Sequence, residues 1–133
     1  MNYDDVAVGD ALPPLVVAIT LQRLAMEAGA NRDFARIHHD PDEARASGAP
    51  APYANTTLVE TLFEAGIRGW AGPAPRIRML EFAMTAFNCV GDEVSAAGAV
   101  AAKHDDERTV DLELWMETAN GRTAAGSATV AFP

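Results

Sequence analysis

Asp33 and His38 stand five positions apart in the run Asn31-Arg32-Asp33-Phe34-Ala35-Arg36-Ile37-His38-His39-Asp40-Pro41. A carboxylate and an imidazole that converge on one water can hold it, take its proton and steer it at an electrophile, which is general acid–base work at neutral pH. Five steps along a regular helix turn the chain by about 140° and aim the two side chains apart. The pair can act together only where the backbone leaves helical geometry between them. An Asp-x-x-x-x-His spacing also arises by chance, its ordinary fate being a solvated acid and a capping histidine, so the surrounding elements decide.

Those elements favour a joint. Leu21, Leu24, Ala25 and Ala28 fall on one stripe of a helical pattern with Thr20 as its N-cap. After the pair, Asp40 caps a second short helix with Pro41 at its first position and Gly48 at its end. A longer helix is expected from Asn55 to about Arg68. Its charged stripe is only Glu60, Glu64 and Arg68, so most of its surface must be buried.

Everything after Gly72-Pro73 reads as strand: Arg76 to Asn88, Glu93 to Lys103, Thr109 to Glu117 and Arg122 to Phe132. The third run alternates cleanly, with Val110, Leu112, Leu114 and Met116 on one face. Asn120-Gly121 fits a type I′ hairpin turn and His104 to Arg108 a longer one. Before the helices, Leu15 to Ile19 suggests a strand that Pro13-Pro14 confines to a sheet edge or a bulge. The small residues from Ser95 to Ala102 imply either close backbone approach or room for a ligand. The order specifies an α+β protein, a largely antiparallel sheet around one long helix.

With 133 residues, 49% of them hydrophobic, the chain is expected to form one domain, 1–133, with a real core. No positively charged, apolar and cleavable leader and no bilayer-length apolar run is legible, so a soluble cytoplasmic protein is the expectation. A net charge of −9 argues against nucleic acid as a partner. A local basic patch remains open: Arg68, Arg76 and Arg78 fall close together and suit the phosphates of an anionic ligand, or else they are solvated surface charges. His38, His39 and His104 are too few and too badly spaced for a metal site, and the single Cys89 reads as a buried inert thiol.

Across nearly its whole length the chain resembles the MaoC-like hydratases, a hot-dog-fold branch that includes the (R)-specific enoyl-CoA hydratases. The likeness lies in Asp4-Asp5-Val6-Ala7-Val8-Gly9-Asp10, in Asp33 to Pro41, in the helix after Asn55 and in Val90-Gly91-Asp92-Glu93-Val94. Asp33, His38, Asp40 and Pro41 occupy the places of that family's Asp-x-x-x-x-His-x-Asp-Pro motif, whose Asp and His are catalytic. The chain departs from the family in Arg32, in Ala35-Arg36, and in Asn55-Thr56 where His-Gly is usual. It is similar there to the small catalytic subunits of bacterial steroid side-chain hydratases, through Arg32-Asp33-Phe34, His38-His39-Asp40 and Trp70-Ala71-Gly72-Pro73.

The resemblance implies reversible hydration of a trans-2-enoyl-CoA to an (R)-3-hydroxyacyl-CoA. Asp33 would act as base, His38 would orient the water and assist protonation, and the Thr56 N–H would meet the enolate oxygen. Asn55, Arg68, Arg76 and Arg78 would contact the substrate. No cofactor is implied beyond the substrate's own CoA, and the partner would be a second hot-dog chain, identical or diverged. A hot-dog thioesterase and a non-catalytic subunit of a heteromeric hydratase are the alternatives. Trp70 is expected in the core or an interface, and His39 beside the site rather than in it.

Overall fold

The computed structural model describes residues 1–133. After a single 3-10 turn at Tyr3–Asp5, the chain forms β1 (Ala11–Ala18), α1 (Leu21–Asn31), a second 3-10 turn (Arg36–His38), α2 (Pro41–Ala46) and α3 (Thr56–Ala71). Four strands follow, β2 (Arg76–Met84), β3 (Glu93–His104), β4 (Thr109–Thr118) and β5 (Gly121–Ala131). All pairings are antiparallel, in the order β1-β3-β4-β5-β2, so β1 and β2 are the edges. Pro13-Pro14 sits where the β1–β3 register slips, as an edge strand with two missing donors requires.

The sheet wraps α3. Leu58, Val59, Leu62, Phe63, Ile67 and Trp70 are buried against inward residues of the strands, among them Val100, Leu112, Leu114, Met116 and Val130. Each large side chain of this kind contributes about 1.5–3 kcal/mol when removed from water. Trp70 closes the far end of the helix edge-on to Phe132, with ring centroids 6.2 Å apart. No helix is long and apolar enough to cross a membrane.

Two local expectations are corrected. The β4–β5 loop consists of Ala119 and Asn120, since Thr118 pairs with Gly121, and neither loop residue has positive φ. A type I′ turn would need it at both, which the Ala119 Cβ opposes; the positive φ moves to Gly121 (118°), and the register slips nearby. The run from Arg76 does not stay in the sheet to Asn88. It leaves after Met84, where Thr85 and Ala86 N–H share the Thr123 carbonyl, and Asn88 then accepts from the Ala54 N–H at 2.9 Å while Cys89 bridges Tyr53. The diverted segment thereby props the approach to α3. Cys89 is buried there, which pushes its thiol pKa up and leaves it inert.

The small residues of β3 reflect close approach. A Cβ at Gly98 would lie 2.7 Å from the Glu113 carbonyl oxygen and 2.8 Å from Leu114 Cδ2. The void between α3 and the sheet, lined by Leu12, Leu62, Phe63, Ile67, Ala96 and Leu114, measures about 10 Å³, room for no more than one water. Gly98→Ala is expected to force β3 from β4 and lower unfolding stability by about 1–3 kcal/mol. Chemical denaturation of the variant beside the parent protein measures it; an unchanged midpoint would refute the close packing.

Candidate active site

The backbone between Asp33 and His38 is bent by local forces. Arg32 ends α1 in the left-handed region (φ 56°), a conformation that costs a residue with a Cβ about 1–2 kcal/mol. Its N–H and that of Asp33 still return to the last turn of α1, onto Gly29 at 3.3 Å and Ala28 at 2.9 Å. Beyond it, the 3-10 turn closes with the His38 N–H on the Ala35 carbonyl at 3.2 Å. Asp40 caps α2 by accepting from Asp42 and Glu43 N–H, and it also receives the Arg36 guanidinium at 2.5 Å, while Glu43 takes Arg36 at 2.8 Å. The expected joint is thus stitched on both sides.

The bend brings the pair together. His38 Nε2 lies 3.3 Å from Asp33 Oδ2, the His38 side chain 7% exposed and the Asp33 side chain about a third exposed. His38 Nδ1 lies 2.7 Å from the Tyr53 carbonyl oxygen, and the Tyr53 ring meets the imidazole edge-on at 5.5 Å. A carbonyl only accepts, so Nδ1 carries the proton and the lone pair of the neutral ring is on Nε2. Asp33 Oδ2 accepts from Asn55 Nδ2 at 2.9 Å and Oδ1 from the Ala35 N–H at 3.4 Å. Chiefly the Asn55 bond, opposed by burial and aided by the Ala35 N–H and by the charged form of His38, holds this carboxyl below the ordinary aspartate range. Asp33 is therefore ionised at neutral pH. A water lodged against both groups can donate one O–H to Oδ2 and one to Nε2, leaving its lone pairs free to attack.

The N-terminus of α3 lies beside them. Asn55 is the N-cap, its Oδ1 accepting from the Leu58 N–H at 2.9 Å. Thr56 and Thr57 N–H have no protein acceptor, and both sit at the positive end of a 16-residue helix. A developing oxyanion would find two free donors there.

The arginines are elsewhere in this chain. Arg68 is about 20 Å along the axis of α3 from Asn55 and pairs with Glu64 at 2.8 Å. Arg76 starts β2, and Arg78, on the same edge strand, pairs with Glu107 at 3.3 Å. His39 is exposed and outside the pair. The sequence reading missed Tyr53, which contributes a backbone carbonyl and so leaves no side-chain signal. It also passed over Phe34, which stands 72% exposed next to Asp33; an aromatic beside a candidate acid was the available sign.

No protein-family model matches the chain. Over 105 residues it is 31% identical to the beta subunit of the 3-oxo-4,17-pregnadiene-20-carboxyl-CoA hydratase of Mycobacterium tuberculosis, covering 79% of this chain and 81% of that protein. Its fold matches a chain of the ChsH1–ChsH2 complex of M. tuberculosis with a TM-score of 0.90 at 24% identity, over 96% of this chain and 99% of that one. It matches the (R)-hydratase of A. caviae involved in PHA biosynthesis with a TM-score of 0.87 at 26% identity, over 97% and 98%. R-hydratase PhaJ1 from Pseudomonas aeruginosa gives 0.89 at 20% identity, over 99% and 85%.

The neutral His38 is expected to be the Nδ1–H tautomer. Two-bond proton–nitrogen correlations of the labelled ring read this directly; a neutral ring with its proton on Nε2 would contradict the Tyr53 contact.

Proposed function

The chain belongs to the MaoC-like hydratases of the hot-dog fold, and from that premise we propose that it adds water reversibly to a trans-2-enoyl-CoA, giving an (R)-3-hydroxyacyl-CoA. The observation that carries this reading is the 3.3 Å approach of Asp33 Oδ2 and His38 Nε2 beside the free N–H groups of α3. Carbon 3 of an enoyl thioester is electrophilic only as far as the thioester oxygen can accept charge. The Thr56 N–H and the helix dipole supply that acceptance. The water oxygen bonds to carbon 3, the double-bond electrons move toward the thioester oxygen, and the released proton passes to the Asp33–His38 pair. From His38 Nε2 that proton is delivered to carbon 2 as the enolate collapses, so the elements of one water are added and both groups return to their starting state. Dehydration is the same path reversed.

The acyl chain is housed outside this chain's own core. The void of about 10 Å³ between α3 and the sheet admits no acyl group. Asp33 is about a third exposed, and its neighbour Phe34 stands bare. That arrangement suits a bulky acyl group held against a second hot-dog chain. The relative from M. tuberculosis, a subunit whose name specifies a pregnadiene carboxyl-CoA, supports a polycyclic acyl class. Two solved relatives of the fold, ChsH1–ChsH2 and HadBC, are themselves complexes. The β2 edge, with Met79 exposed on it, offers unpaired backbone groups for such a partner and would carry Arg76 and Arg78 to the joint, within reach of CoA phosphates.

The decisive assay offers crotonyl-CoA, a longer enoyl-CoA and a steroid enoyl-CoA, with and without a co-expressed second hot-dog chain. Loss of the conjugated absorbance without release of free thiol is expected, and free thiol would make the protein a thioesterase. Asp33→Asn and His38→Ala should each lower turnover on the order of a hundredfold or more without unfolding the protein. Near-normal turnover of either variant would sink the assignment.

A further inference from the structure

The Asn55 side chain is held at both ends. Only its oxygen can accept from the Leu58 N–H at 2.9 Å, so its NH2 group must face Asp33, to which it donates at 2.9 Å. The residue is 7% exposed, and one amide hydrogen is all it has left for a substrate.

We propose that Asn55 is a positioning residue for the hydration, its amide fixing the rotation of the Asp33 carboxylate and tying that carboxylate to the N-terminus of α3. The proposal rests on Asp33 being the base. A carboxylate turns easily about its last bond, because such torsions are broad and two-fold. The other contact that holds it, Ala35 N–H on Oδ1, is long at 3.4 Å. Without the Asn55 donor, Oδ2 has no reason to remain beside His38 Nε2. With it, the base, the imidazole and the oxyanion donors of α3 keep one spacing, because a single side chain is both helix cap and carboxylate anchor.

The charges around Asp33 do not substitute for that anchor. His38 faces it from the 3-10 turn, Arg36 is taken up by Asp40 and Glu43, and the first turn of α3 carries no acid. Losing the Asn55 donor therefore removes the largest influence lowering the Asp33 pKa, and the carboxyl then titrates at higher pH. Because the reaction needs ionised Asp33, the acid limb of the rate profile must rise with it.

Two variants test this. Asn55→Asp keeps the cap oxygen and the shape while replacing the donor by an acceptor. Asn55→Ser keeps a cap with a hydroxyl too short to reach Asp33, and it carries the test if the first variant does not fold. In either, kcat is expected to fall about tenfold or more with KM for the enoyl-CoA changed less than about twofold. The acid limb of kcat/KM and the carbon-13 titration of the Asp33 carboxyl should both move to higher pH. A raised KM with kcat and the Asp33 titration unchanged would make Asn55 a substrate contact and overturn the proposal, as would a variant indistinguishable from the parent protein. Full activity of Asp33→Asn would instead remove the reading on which the proposal stands.

Discussion

Asn55 caps α3 by accepting from the Leu58 N–H, leaves the Thr56 and Thr57 N–H free, and with the same side chain reaches Asp33. The rest of the chain is arranged around that point. The sheet curls about the face of α3 that carries Leu58, Val59, Leu62, Phe63, Ile67 and Trp70, while Glu60, Thr61, Arg68 and Gly69 stay exposed on the other side. The helix N-terminus consequently lies at one end of the sheet, where the loop 49–55 must enter. Asn88 and Cys89, diverted from β2, hold Ala54 and Tyr53 in place, and Tyr53 then has its carbonyl free for His38. The candidate site forms where α3 begins, supplied with an acid and an imidazole by the bend after α1.

What could be read in the sequence was what local chemistry decides. Thr20 and Asp40 act as N-caps because their short side chains reach back to nearby N–H groups, and both do so here; Asn55, expected as the first residue of α3, turns out to cap it in the same way. The alternation of β4 and the edge placement of the Pro13-Pro14 strand also follow from rules a few residues long. The end of β2 was not legible. Its departure depends on Thr123 and Ala54, far away in sequence, and a strand-like composition to Asn88 says nothing of them. The β4–β5 turn failed for a related reason: the Asn-Gly pair was present, but pairing of Thr118 with Gly121 set the loop one residue earlier. Of the candidate site, Asp33 and His38 were visible as residue types at a spacing, whereas the capping role of Asn55 and the carbonyl of Tyr53 could appear only with the fold.

The charge balance adds a constraint of its own. At a net charge of −9 the chain repels a polyanion such as CoA at long range, and Arg68 and Arg78 are each drawn to an acid of this same chain. Under the proposed hydration, the thioester end would be met by uncharged donors, the free N–H groups of α3. The phosphate end, on that proposal, would fall to Arg76 and Arg78 on the β2 edge.

A crystal structure of the Asp33→Asn protein bound to a 3-hydroxyacyl-CoA tests the central claim most directly. The account predicts the 3-hydroxyl oxygen within hydrogen-bond reach of both residue 33 and His38 Nε2, with the thioester oxygen on the Thr56 N–H. A thioester carbonyl carbon facing the pair, or a 3-hydroxyl touching neither group, would contradict it.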